Sequence, residues 1–181
     1  MTTSSETGRH RSATGRRLRR AIGLPQGVGW CVFLPRDLLH SPAWLAMSGQ
    51  GRKLIDALMA EHADHGGREN GNLMAPYDML QERGIRRGNI LNAIVEVEAL
   101  GIVDPTRGAR SYGSRKVPSR YRLTWLGTPD GLSATNEWKS IKTRDEARMR
   151  IKNAFARLKS ERAAKALAKA EYAANRNAVV A

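Results

Sequence analysis

Five positions within a span of seven carry side chains suited to reading a base edge: Arg86, Arg87, Gly88, Asn89 and Asn92, at the start of a predicted helix over residues 86–100. An arginine fork matches guanine O6 and N7, an asparagine amide matches adenine N6 and N7, and a glycine admits close backbone approach. Taken alone, such residues are ordinary exposed and capping residues of a helix start. Their surroundings give them meaning. A tight Gly84-Ile85 turn precedes them, and a Gly-containing loop, residues 107–119, follows with Arg107, Arg110, Arg115 and Lys116, closed by Arg120. Loop cations of this kind hold phosphates or enter the minor groove. A third cluster, Arg16, Arg17, Arg19 and Arg20, lies near the N-terminus. All three groups suit a polyanion, and the first also offers base recognition.

The charge distribution agrees. The 181 residues carry a net charge of +14, too large for a solubility margin alone. Residues 1–24 contribute +5, residues 102–125 contribute +5 and residues 144–181 contribute +6, whereas the rest sums to −2. Residues 1–24 have almost no apolar side chains before Leu18, too few to offset ordering entropy, and are expected to be a disordered, flexible basic arm. Hydrophobic residues make up 41% of the chain, enough for one packed domain.

These side chains need a scaffold, expected over residues 25–127. The run Trp30 to Leu34, ended by Pro35, predicts a short strand or extended entry, and Ser41-Pro42 predicts an N-cap and first helical residue. Leu54, Ile55, Leu58 and Met59 recur at helical spacing until Gly66-Gly67 stops them. Leu73-Met74 is long enough only for a bridge of strand. A second helix opens at Pro76 and ends at Gly84. It has Ala75 where a Ser or Thr cap is expected, a loss of about 1 kcal/mol. The helix 86–100 buries Ile90, Ala93, Ile94, Val97 and Leu100 as one stripe. Leu91 and Val95 share an outward face where polar residues are expected; contact with thymine methyls, burial against a partner subunit and packing under the C-terminal helix are the options, the last two preferred. Two strands, Ile102 to Thr106 and Arg120 to Trp125, flank the basic loop, the second alternating Tyr121, Leu123 and Trp125 against Arg122 and Thr124.

Residues 128–142 read as a linker. Residues 143–181 form a basic helix and tail, supported by Glu146/Arg150 and Glu161/Lys165 pairs. Its apolar stripe Ile151, Ala154, Phe155 and Leu158 continues as Arg162, Lys165 and Lys169, so the second half is expected to protrude. That stripe suits a homodimer or a fold back onto the domain. The expected fold class is therefore mainly α with a small β-hairpin: a winged helix-turn-helix domain, a basic N-terminal arm and a long C-terminal helix.

The segments FLPRDLLHSPAW (33–44), HGGRENG (65–71), YDMLQERGIRR (77–87), EVEALGIV (96–103), PSRYRLTWL (118–126) and NEWKSIKT (136–143) resemble winged-helix proteins of bacterial plasmids, phages and integrative elements, some of them replication-initiator-like. The resemblance covers about residues 30–145. It implies the winged-helix fold, duplex DNA as partner, and a role in transcription regulation or replication control of a mobile element.

Other chemistry is set aside. His62 and His65, with Glu61 and Asp64, lie on one helix, but His10 and His40 offer no completion of a metal site. Cys31 is the single cysteine; it excludes an internal disulfide and reads as a small buried hydrophobe. No phosphate-cradling glycine loop, nucleophile triad or carboxylate pair stands out, so neither enzymatic activity, a cofactor nor a small-molecule substrate is expected. No apolar run suits a membrane span or a secretory signal, which makes a cytoplasmic, nucleoid-associated location the expectation. The competing reading is a basic RNA-binding or scaffold protein acting through its tails.

Overall fold

The computed structural model describes residues 32–106, 108 and 119–180, with only the backbone described for 173–175 and 177–180. Among these residues the order is α1 (Arg36–Leu39), α2 (Pro42–Ala46), α3 (Gly49–Asp64), β1 (Leu73–Met74), α4 (Tyr77–Glu82), α5 (Arg87–Ala99), β2 (Val103–Thr106), β3 (Arg120–Leu123), a 3-10 turn (Glu137–Ser140) and α6 (Arg144–Val180). The fold is mainly helical with one small antiparallel sheet, its strands ordered β1-β3-β2. No described helix is long and apolar enough to cross a membrane.

Local chemistry explains the helix ends. Ser41 Oγ accepts the Trp44 N–H at 3.1 Å, and Pro42 occupies the first helical position, where no N–H is required. Gly66 and Gly67, both at positive φ, close α3: the Gly67 N–H reaches back to the His62 carbonyl at 2.8 Å. Gly84, at φ +78°, repeats the device after α4, with the Ile85 N–H on the Leu80 carbonyl at 3.0 Å. Ile85 is thereby driven into the core, 1% exposed. The core gathers Leu54, Ile55 and Leu58 of α3, Leu80 of α4, Ile90 and Val97 of α5, and Leu123 of β3. Burying each such side chain is worth about 1.5–3 kcal/mol.

The sheet is short, and one side chain lengthens it. Leu73 pairs with Tyr121, and beyond that rung the Asn70 amide substitutes for a strand residue. Its Oδ1 accepts the Leu123 N–H at 2.7 Å, while Nδ2 donates to the carbonyls of Leu123, Leu126 and Gly127 at 3.0–3.1 Å. Thr106 pairs with Arg120, so residues 107–119 connect two hydrogen-bonded antiparallel strands.

Of the run Trp30 to Leu34, the described residues 32–34 pair with no strand, which leaves the extended entry of the two alternatives; the Phe33 carbonyl accepts the Trp125 indole N–H at 3.0 Å. Three expectations change. The cap of α4 falls on Pro76, one residue later than expected, and makes no side-chain bond. Thr124, expected on the solvent face, is fully buried because its hydroxyl donates to the Gly101 carbonyl at 2.8 Å past the end of α5. The 128–142 stretch is pinned to the domain: Trp138 and Ile141 are buried in the core. Arg122, its side chain 11% exposed, ties that stretch down by bonding Asp104, Thr135 and Glu137 at 2.8–3.2 Å.

Candidate nucleic-acid interface

The candidate residues are positioned by α5. Ile90, Ala93, Ile94, Val97 and Leu100 are all buried, as the stripe predicts. Opposite them, at spacings of four, three and four, lie Gly88, Asn92, Val95 and Ala99. This outward face is divided in two. From Asn92 onward α6 packs against it: Val95 and Ala99 line one narrow recess with Ala154 and Leu158. Val95 is 7% exposed and lines this recess, which places it under the C-terminal helix among the three options; Leu91 is half-buried. Asn92 is half-buried as well; with Asn89, Ser48, Gln50 and Phe155 it lines a second recess.

The first turn of α5 stays open. Arg86, Arg87, Gly88 and Asn89 are exposed, and a Cβ built on Gly88 meets no atom within 4 Å. Arg86 occupies the N-cap position without a side-chain cap bond, and the first turn contains no acid. A helix start carries partial positive charge from its unpaired N–H groups, so two arginines there add to the unfavourable potential. Such an arrangement favours an incoming anion.

Arg86 makes no side-chain hydrogen bond or ion pair among the described residues. Arg87 differs. It folds back on α4, its Nη1 3.2 Å from Asp78 Oδ1 and 2.9 Å from Gln81 Oε1, with the guanidinium 5.6 Å from the Tyr77 ring centroid. Both partners of this ion pair are largely exposed, so it is worth at most about 1 kcal/mol and leaves Nε and Nη2 for a phosphate. On the inner side, the Lys53 ammonium donates to the Gly84 carbonyl at 2.9 Å and steadies the turn between α4 and α5.

Arg120 stands exposed at the first residue of β3, its Nη1 donating to Asn72 Oδ1 at 3.1 Å. The other loop candidates, Arg107, Arg110, Arg115 and Lys116, lie outside the described residues, as do Arg16, Arg17, Arg19 and Arg20 of the arm, and Cys31.

Two residues missed as candidates hold this surface in place. Glu96 is 5% exposed and accepts from the Ser48 N–H at 2.7 Å and the Ser48 hydroxyl at 2.5 Å. It thereby tethers α5 to the start of α3. The available signal was an acid inside the apolar run Ile94-Val95-Glu96-Val97. Asn70 is the other, and its polar loop carries no comparable signal. Among the described residues no three His, Cys, Asp or Glu side chains gather as a metal site. Comparison of the chain with protein-family models, with curated proteins and with solved structures gave no match.

Proposed function

We propose that this chain is a winged helix-turn-helix protein that binds double-stranded DNA, a cytoplasmic, nucleoid-associated regulator of transcription or replication of a mobile element. In this reading α4, the Gly84-Ile85 turn and α5 form the helix-turn-helix. The first turn of α5 enters the major groove, and the 107–119 wing lies on phosphates or in the minor groove. The observation that carries it is the open, uncapped start of α5, where Arg86, Arg87, Gly88 and Asn89 surround the positive end of a helix dipole. Further support comes from the hairpin whose basic loop follows directly, and from the residue types, which suit guanine and adenine edges. The role in a mobile element rests on resemblance to winged-helix proteins of plasmids, phages and integrative elements.

Selection of bound sequences from a random duplex pool, repeated with variants, tests the reading. Asn89→Ala is expected to relax preference at one base position, a loss of about 1–3 kcal/mol in discrimination. Asn92→Ala, half-buried under α6, is expected to leave the selected sequence unchanged. Duplex affinity that hardly varies with salt would overturn the proposal, since 6–10 phosphate contacts imply a fall of about 10³–10⁵ between 50 and 200 mM salt.

A further inference from the structure

We infer that the free half of α6 is a second phosphate-contacting arm of the same interface, an inference that rests on the duplex-binding reading above. α6 is one helix of 37 residues, and only its first part touches the domain. Ala147 and Ala154 are buried and Ile151 and Leu158 half-buried, whereas every described side chain from residue 159 onward is exposed. The helical period places Arg162, Lys165, Lys169 and Arg176 on the same face as Ile151, Ala154 and Leu158. The face that packs on α5 therefore changes from apolar to basic where the domain ends.

Each of the four cations is exposed and makes no ion pair among the described residues; of the two pairs expected along this helix, Glu146/Arg150 forms at 2.8 Å whereas Glu161/Lys165, both residues solvent-exposed, does not. Arg162, Lys165 and Lys169 follow one another at spacings of three and four, where like charges weaken a helix that no neighbour supports, and Arg176 continues the face two turns on, so the stripe is a liability without a counter-charge. It spans about 21 Å along the axis, long enough to follow several phosphates of one strand. The opposite face offers one large apolar side chain, Leu167, among alanines such as Ala163 and Ala170, too little for burial in a lipid surface. A second copy of the chain would bring the same charge against itself. A nucleic-acid backbone is the complementary partner, and because the stripe continues, past Leu158 and Glu161, the helix face that packs on α5, it is assigned to the backbone of the same duplex.

The test uses the full chain with Arg162→Gln, Lys165→Gln, Lys169→Gln and Arg176→Gln combined, substitutions that keep helix propensity. Duplex affinity should fall about 10- to 100-fold near 0.1 M salt, and the slope of log K against log salt should shrink by about 3. Circular dichroism should show unchanged helicity. An equal removal of charge elsewhere, Arg36→Gln, Arg68→Gln, Lys139→Gln and Lys142→Gln, should alter the slope by less than one. If the native chain binds duplex with a steep salt slope and the α6 variant matches it, or the control variant loses as much, the inference fails and the reading of α5 stands. If RNA or anionic vesicles of phosphatidylglycerol displace the duplex from the native chain but not from the α6 variant, the arm belongs to that other partner and the inference is overturned. If the native chain shows no salt-dependent duplex affinity, the duplex-binding reading itself falls.

Discussion

Helices α3 and α5 start in opposite ways. At the start of α3 the Ser48 hydroxyl accepts the Gly51 N–H at 3.2 Å, and the Glu96 carboxylate accepts from the Ser48 backbone and hydroxyl. The fit is close: a Cβ on Gly51 would lie 2.7 Å from Met47 Cγ and 3.1 Å from Glu96 Oε2. Here the positive end of a helix meets a hydroxyl and an anion. At the start of α5 it meets Arg86 and Arg87, with no capping side chain and no acid in the first turn. Stability alone favours the first arrangement at both places. The contrast locates where the molecule gives up internal satisfaction; under the duplex-binding proposal, a phosphate would complete the second site as Glu96 completes the first.

The largest effect is expected from breaking the satisfied end. Glu96→Ala removes two charge-assisted bonds and strips a part-buried N–H of its acceptor, a loss of about 3 kcal/mol. Glu96→Gln keeps one acceptor and should cost about half as much. Urea denaturation measures both, with the slope against urea unchanged. Duplex affinity, corrected for the folded fraction, should hold, because Glu96 contacts the start of α3 and not the open turn. A neutral Glu96→Ala would show that the two helix starts are not energetically different, and the contrast would lose its basis.

A smaller effect of opposite sign is expected at the unsatisfied end. Arg86→Ser supplies the missing cap and removes a cation from the positive end of the dipole. The melting curve should gain about 1 kcal/mol. Duplex affinity should meanwhile fall about tenfold, equivalent to about 1.4 kcal/mol. A gain in stability with a loss in binding is what separates a residue kept for a ligand from one kept for the fold. If Arg86→Ser lowers stability, Arg86 supports the domain and the start of α5 is not a site awaiting an anion.

What sequence reasoning reached follows from the range of the interactions involved. The buried stripe of α5, the Ser41-Pro42 start and the glycine stops are local patterns, and each appears where the spacing places it. The four-residue α1 is too short to show a period. Residues 128–142 look like a linker because their anchors are distant in sequence: Arg122 reaches Thr135 and Glu137, while Gly101 packs so closely that a Cβ would lie 2.9 Å from Glu137 and the Trp138 nitrogen. The same holds for the candidate interface. The exposure of Arg86, Gly88 and Asn89 follows from their place after a Gly-Ile turn. The covering of Asn92 by α6, at Phe155, and the tethers at Glu96 and Asn70 depend on partners about 50 to 60 residues away, which no window of sequence contains.

The far end of α3 gives the smallest effect and a second contrast. His62 is 7% exposed and its Nδ1 has no partner among the described residues; burial holds its pKa below 6.5 against the opposing pull of Glu69. His65, exposed at the C-cap, is raised instead, chiefly because its ring bonds the Glu61 carbonyl and also because the Glu61 carboxylate is near. For His62 the unfolded chain takes up its proton first as pH falls. Its contribution is complete above pH 6.5 and declines as pH drops toward the lower folded value. For His65 the folded chain keeps its proton to higher pH, so the contribution is complete below 6.5 and is lost as pH rises through the raised value. His62→Gln should therefore flatten the loss of stability on acidification below pH 6.5, measured by urea denaturation across pH, while His65→Gln should leave that limb alone and act only on the alkaline side. An acid limb unchanged in His62→Gln would mean that another group drives the decline, and that the end of α3 is as fully satisfied as its start.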